Sequence, residues 1–341
     1  SFVDRISERD EIVYFHNLKF DGTFIIDWLF REGYAHRDKA ALPGEFSTLI
    51  SSMGAFYTVT VHWENGKKTE FRDSLKKLPF SVARIGEAFK LDVVKGEIDY
   101  HAPRPIGHRI TPEERHYGSM DVLVVAKALK LEFDSGMDRL TVGSDSLYEF
   151  KSITGSKMFG KLYPVLPDST DAHIRAAYKG GFTYADVRFK GKNLGSGSTY
   201  DVNSLYPSVM YDSLLPYGEP LFRFGKPTPD IEYPLYIISI TFTAVLKKDH
   251  IPCIQVKNSG HFSATVYQER IDEVITLSVS NVDLELWERH YDMNILSYNG
   301  GYYFKGRIGA FNNFINKWMK VKKESEGGMR ELAKLHLNSL Y

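Results

Sequence analysis

Apolar residues along this chain change their spacing several times, and each change predicts a different element. Ile12 to Phe15 is a short apolar run ahead of His16-Asn17-Leu18-Lys19-Phe20-Asp21-Gly22, which reads as a buried strand leading to a helix over Thr23 to Phe30. Thr111-Pro112-Glu113-Glu114 has the form of a capping box with proline at the first helical position, so a helix starts there. Thr199 to Val202 has strand propensity, and Pro207 suits the first turn of a helix running to Leu215. Residues 213 to 309 read as mostly β, with Tyr236-Ile-Ile-Ser-Ile-Thr-Phe-Thr the clearest strand. From Phe311 onward, Phe314, Ile315, Trp318 and Met319 recur at helical spacing until Glu326-Gly327-Gly328 interrupts them, and a second helix follows. The first 140 or so residues mix both spacings in an α/β pattern.

A chain of 341 residues, 43% hydrophobic and 14% aromatic, is expected to fold as two or three compact units. No apolar run reaches the roughly 18 residues of a membrane span, and Ser1 to Asp10 lacks the apolar core of a signal peptide, so a soluble, non-secreted protein is expected. Its single cysteine, Cys253, cannot form an internal disulfide, in keeping with a reducing compartment. With 43 basic and 43 acidic residues the net charge is zero, so any contact with nucleic acid must come from local patches. Lys151, Lys157 and Lys161, then Arg188, Lys190 and Lys192, then Lys317, Lys320, Lys322 and Lys323 form such patches, which taken alone read as solvated surface.

Three constellations carry candidate chemistry. Asp201-Val-Asn-Ser-Leu-Tyr206-Pro-Ser places a carboxylate where strand gives way to helix and a tyrosine five residues on, a layout for holding a metal ion beside a nucleotide sugar. Asp21 also follows a buried strand, while Tyr117 and Asp121, four apart, share one face of the helix begun at Thr111. Hydrolysis of a phosphodiester by two metal ions needs several such carboxylates to converge. Lys334, Asn338 and Tyr341 fall at i, i+4 and i+7, with Arg330 one turn earlier, a stripe suited to a triphosphate. Each fragment alone also has a plainer reading: a helix cap for Asp21, core packing for Tyr117, a solvated cationic face for the last stripe.

Together and in this order the fragments resemble family B DNA polymerases. NxxFD at Asn17 to Asp21 and YxxxD at Tyr117 to Asp121 are similar to the second and third exonuclease motifs. Asp201 to Ser208 fills every fixed position of the first polymerase motif, DxxSLYPS, and Lys334 to Tyr341 resembles the finger-helix motif KxxxNSxYG up to its glycine. Tyr178-Lys179-Gly180-Gly181, Ser74-Leu75-Lys-Lys-Leu78 and Lys95-Gly96-Glu97-Ile98 narrow the resemblance to the protein-primed enzymes of small short-tailed bacteriophages, over nearly the whole chain.

That resemblance implies an α/β multidomain fold: an RNase H-like 3′–5′ exonuclease domain over 1–141, the first part of a palm over 142–212, a β-rich insertion over 213–309 that docks a terminal protein, and finger helices over 310–341. It implies two Mg²⁺ or Mn²⁺ ions per active site, held by Asp201 with the Val202 carbonyl in one and by Asp21 and Asp121 in the other. Tyr117 would position a water and Lys95 would assist. Leu205, Tyr206, Arg330, Lys334, Asn338 and Tyr341 would bind the nucleotide, Tyr206 beneath its sugar. His16, Asn17, Phe20, Phe24, Ser74 and Leu75 would hold a frayed single strand, and Tyr178, Gly180, Gly181 and Ser204 would contact template and primer. The implied partners are primer-template and single-stranded DNA, dNTPs and the terminal protein, with no membrane. A monomer in the cytoplasm of the infected bacterial host is expected.

The sequence also departs from the family. The first exonuclease motif, DxE, should precede Asn17 by several tens of residues; Asp4, Glu8, Asp10 and Glu11 form only a polar run. The later DTD and KxY motifs do not occur after Tyr341. The expectation is therefore a fragment of a polymerase that is inactive, or nearly so, by itself. A metal-dependent exonuclease with a degenerate polymerase region, and a non-catalytic module binding DNA or terminal protein, are the alternatives.

Overall fold

The computed structural model describes residues 2–93, 95–99, 101–256 and 267–340, which divide into two compact units, 1–150 with 313–341 and 151–312. The first unit opens with α1 (Phe2–Ser7), β1 (Glu11–Phe15), α2 (Leu18–Arg31), β2 (Ala35–His36), β3 (Glu45–Ile50), β4 (Phe56–His62) and β5 (Lys68–Asp73). A 3₁₀ turn (Ser74–Lys76), α3 (Val82–Ala88), α4 (Pro112–Asp134) and α5 (Val142–Thr154) follow. The five strands form one mixed sheet in the order β1-β5-β4-β3-β2, with β1 parallel to β5. Leu18 and Leu29 of α2 pack on Phe46, Val59, Val61 and Phe71 of the sheet. Full burial of each such side chain contributes about 1.5–3 kcal/mol.

The second unit holds α6 (Ser156–Leu162), α7 (Asp168–Ala176), α8 (Leu205–Asp212), β6 (Leu215–Arg223), β7 (Leu235–Leu246), β8 (Ile254–Gln255), β9 (Tyr267–Gln268), β10 (Arg270–Ser280), α9 (Asn281–His290) and β11 (Tyr291–Arg307). An antiparallel sheet in the order β10-β7-β11-β6 is its frame. Trp287 of α9 packs on Phe242 of β7, and both are fully buried. Gly301 is where β11 and β7 approach most tightly: a Cβ there would lie 2.2 Å from the Ile237 carbonyl oxygen. The region 213–309 is thus mostly β as expected, with α9 as a helical interruption. Burial pushes the Cys253 thiol up to about 11, so it is inert at neutral pH.

Two further helices, α10 (Asn312–Glu324) and α11 (Gly327–Leu337), end the described chain. Leu332 of α11 joins Ile85, Phe89, Val124, Ala128 and Leu129 in a helical core, so most of this C-terminal pair counts with the first unit. Among the described residues no helix is long and apolar enough to cross a membrane.

Several boundaries differ from those the sequence predicts. The helix expected from Thr23 starts at Leu18, so Asp21 lies in its first turn instead of ahead of it. The strand expected over Thr199 to Val202 is absent; that stretch is exposed and unpaired, and an isolated strand has no ladder to stabilise it. The following helix starts two residues before Pro207 and stops at Asp212, and Leu215 opens β6. α11 begins at Gly327, inside the expected break, and ends at Leu337.

Candidate active sites

The capping box at Thr111 forms as predicted: Glu114 N–H donates to Thr111 Oγ1 at 3.2 Å and Thr111 N–H donates to Glu114 Oε2 at 2.9 Å. Arg104 and His108 also bond Glu114, and these partners with the Thr111 amide hold its carboxyl down at about 2. The start of α4 is thereby fixed, and with it the phase of Tyr117 and Asp121.

Lys95, from the segment ahead of that helix, places its Nζ 3.8 Å from Asp121 Oδ2 and 5.7 Å from the centre of the Tyr117 ring. A Cβ at Gly96 would sit 3.3 Å from Tyr117 Cδ2, so the glycine after Lys95 lets this segment run against the ring. Asp121 Oδ1 is buried without a hydrogen-bond partner. A buried carboxylate oxygen left unpaired costs free energy that a cation would recover. Asp21, half-buried in the first turn of α2, has its carboxyl pushed up by desolvation. Among the described residues no group of three or more His, Cys, Asp or Glu side chains gathers at metal-binding distance. The unpaired oxygen of Asp121 suits a metal ligand.

The strand-holding candidates cluster around Asp73. Asp73 Oδ1 accepts from the Asn17 N–H at 3.1 Å and the Leu75 N–H at 3.0 Å, tying the start of α2 to the 3₁₀ turn. His16 Nε2 lies 2.7 Å from the Phe80 carbonyl oxygen, which makes that nitrogen a donor, and Nδ1 lies 2.9 Å from Ser74 Oγ. Phe20 and Phe24, each 65% exposed, stand edge to face 5.6 Å apart on α2. Sequence reasoning missed Asp73, although an aspartate directly before Ser74-Leu75 is a legible cap of the turn.

In the second unit Asp201 and Val202 lie on an exposed segment, and Ser204 takes a left-handed conformation (φ 54°) before α8. Leu205 and Tyr206 are half-exposed, and a Cβ at Gly181 would lie 4.0 Å from the Tyr206 hydroxyl. The structure thus brings Gly181 near the Tyr206 hydroxyl, whereas nothing lies within 4 Å of a Cβ at Gly180. Tyr178 itself is exposed.

The cations of α11 have local partners. Lys334 Nζ donates to Glu331 Oε1, so its charge is locally paired, and Arg330 donates to the Lys322 carbonyl at 2.8 Å. Asn338 is the C-cap residue, its N–H reaching the Lys334 carbonyl at 3.2 Å, so helical phase no longer governs its side chain. Tyr341 lies outside the described residues. Lys334 belongs to the first unit and Asp201 to the second.

Known proteins resemble this chain along nearly its whole length. Residues 4–106 and 103–341 match the family model for DNA polymerase type B, organellar and viral. The DNA polymerase of Bacillus phage phi29 is 48% identical over 334 residues, covering 96% of this chain and 58% of that protein. The DNA polymerase of Bacillus phage Nf is 45% identical over 345 residues, covering 100% of this chain and 60% of the relative. The chain therefore spans 58% to 60% of the length of these relatives. Phi29 DNA polymerase complexed with single-stranded DNA has a TM-score of 0.93 at 46% identity, covering 100% of this chain and 60% of that one. Its complex with primer-template DNA and incoming nucleotides has a TM-score of 0.90 at the same identity, covering 100% and 61%. The chain belongs to the organellar and viral type B DNA polymerases.

Proposed function

We propose that these residues serve a template-directed, protein-primed phage DNA polymerase that also removes 3′ nucleotides. One observation carries the reading: along its whole length the chain is similar, at 46% identity, to a polymerase solved with primer-template DNA and incoming nucleotides.

In the exonuclease part, an RNase H-like domain in this reading, Phe20 and Phe24 offer faces on which bases of any sequence stack. Asn17 and the Ser74-Leu75 turn, joined through Asp73, hold the backbone of the frayed strand, and His16 braces the turn. Asp21 and Asp121 would hold Mg²⁺ or Mn²⁺, supported by the unpaired Asp121 oxygen. Two such ions supply an activated water and stabilise the leaving oxygen. The Tyr117 hydroxyl orients the water, and Lys95 offsets negative charge beside Asp121. In the polymerase part, palm and fingers in this reading, Asp201 and the Val202 carbonyl would be ligands. Leu205 and Tyr206 would flank the nucleotide sugar, and Arg330, Lys334, Asn338 and Tyr341 the triphosphate and base. Tyr178, Gly180, Gly181 and Ser204 would follow template and primer. The β-rich stretch 213–309 would dock the terminal protein, and the site of action would be the infected bacterial cell.

Titrating a labelled oligothymidylate with the chain tests the first part. Binding is expected, weakened roughly tenfold by Phe24→Ala, the equivalent of one stacking contact; no binding by the unmodified chain overturns the reading. Templated extension is assayed on a polypeptide spanning the relatives' full length. Asp201→Asn should abolish extension while 3′ degradation continues, and extension by that variant removes Asp201 from the polymerase site.

A further inference from the structure

Lys77 is completely buried, and its neighbours are two further buried charges, Glu132 at 1% and Asp145 at 5% exposure. Its Nζ lies 2.5 Å from Asp145 Oδ2, a short charge-assisted hydrogen bond, and 3.1 Å from Glu132 Oε2, a contact of charge without hydrogen-bond alignment. Asp145 is fixed in turn by the Arg139 N–H at 3.0 Å. Glu132 stands on α4, eleven residues after Asp121, and Asp145 on α5. The backbone of Lys77 closes the turn that carries Ser74 and Leu75: the Lys77 and Leu78 N–H groups donate to the Ser74 carbonyl at 3.0 and 2.8 Å. The preceding Lys76 points elsewhere, its ammonium 4.8 Å from the centre of the Tyr57 ring. One lysine of the pair therefore runs from the turn into the helices behind it.

Three buried charges are an expensive way to fill a core, because well-packed apolar side chains of the same volume hold a fold at least as well. What an ion cluster adds is direction: it accepts one arrangement of its partners and penalises a slipped one. We infer that Lys77 is a positioning residue, which through Asp145 and Glu132 sets the Ser74-Leu75 turn at a fixed place relative to the helix of Tyr117 and Asp121. The inference rests on the proposed exonuclease reading, in which the turn holds the strand and α4 holds the chemistry. Burial pushes the Glu132 carboxyl up to about 7, so near neutral pH the cluster balances one cation mainly against Asp145.

Three measurements on the chain separate positioning from bulk stability: thermal melting, amide exchange at residues 74–78, and affinity for a labelled oligothymidylate. Lys77→Met leaves two carboxyls facing each other and should lower the melting temperature. The isosteric triple variant Lys77→Met, Asp145→Asn, Glu132→Gln removes all three charges and should recover it. Under the inference the triple variant still exchanges the 74–78 amides faster and binds the oligonucleotide about tenfold more weakly, the equivalent of about 1.4 kcal/mol. Recovery of exchange protection and affinity together with melting temperature overturns the inference and leaves Lys77 with a structural role only. Asp145→Asn gives the same reading if the triple variant does not fold. If the unmodified chain binds no oligonucleotide, the proposed function fails, whereas the exchange measurement still decides whether Lys77 fixes the turn.

Discussion

The motifs of the two units are held in opposite ways. In the first, Tyr117 and Asp121 stand on a 23-residue helix with a closed capping box, Lys95 is brought against both, and the Ser74-Leu75 turn is tied to α2 through Asp73. In the second, Asp201 has neither strand nor helix beneath it and lies exposed ahead of a short helix. Both are carboxylate motifs, and the Asp201 octapeptide is the more specific of the two in sequence. A motif names the chemistry, whereas the framework around it decides whether the geometry is already set.

If the two frameworks are independent, the units should melt separately. Trp287→Ala empties the core under the second sheet and should cost about 3–5 kcal/mol. Calorimetry should show one transition shifted and the other retained; a single shifted transition would mean that the units unfold together.

Next in size is the pH dependence of the first unit. Desolvation pushes the Glu132 carboxyl up from 4.5 to about 7, with Lys77 opposing and Asp145 reinforcing the change. Between those values the folded chain keeps a proton that the unfolded chain has released, so stability falls as pH rises through that window. His336, stacked 4.3 Å from Trp318 and bonded to Ser146, is pushed down from 6.5 to about 3, first by burial and then by Lys77 and Lys317. Its folded form is neutral where its unfolded form is charged, so its contribution rises with pH from about 3 to 6.5 and is complete above. Urea melts should show stability growing from about pH 3 to 4.5, level from there to about 6.5 where the two contributions oppose each other, and falling between 6.5 and 7. Glu132→Gln should remove that loss, gaining on the order of 3 kcal/mol at pH 8, with little change at pH 4.

Metal binding compares the two sites directly. At a free Mn²⁺ concentration ten times the dissociation constant the chain should gain about 1.4 kcal/mol. Asp121→Ala should abolish the gain and Asp201→Ala should keep it; the reverse pattern would show the exposed segment to be the organised site. Smallest is the cap: Thr111→Ala should cost about 1 kcal/mol and loosen Tyr117 and Asp121 together, read as faster amide exchange over the first two turns of α4.

How far the fold was legible follows the same division. The capping box and the helical spacing around Trp318 are local signals, and local physics decides them. The starts of α2 and α8 were misplaced because neither uses an ordinary cap: Asn17 and Ser204 stand there without a side-chain cap hydrogen bond. Lys76-Lys77 was illegible for another reason. Two adjacent lysines in a turn read as solvated, and only the carboxylates brought from Glu132 and Asp145, 55 and 68 positions away, decide which of them turns inward.

Asn17 and Ser204 share one more property, φ angles of 74° and 54°, in a region that few side chains enter readily. One opens the helix of Asp21 and the other the helix that starts four residues after Asp201. Each motif therefore contains a residue constrained by backbone geometry independently of any contact with DNA. Glycine could adopt either conformation freely, at the expense of a more disordered unfolded chain, while valine or isoleucine would be excluded by their branching. For mutational tolerance, these two positions should accept substitutions by backbone shape before they accept them by chemistry.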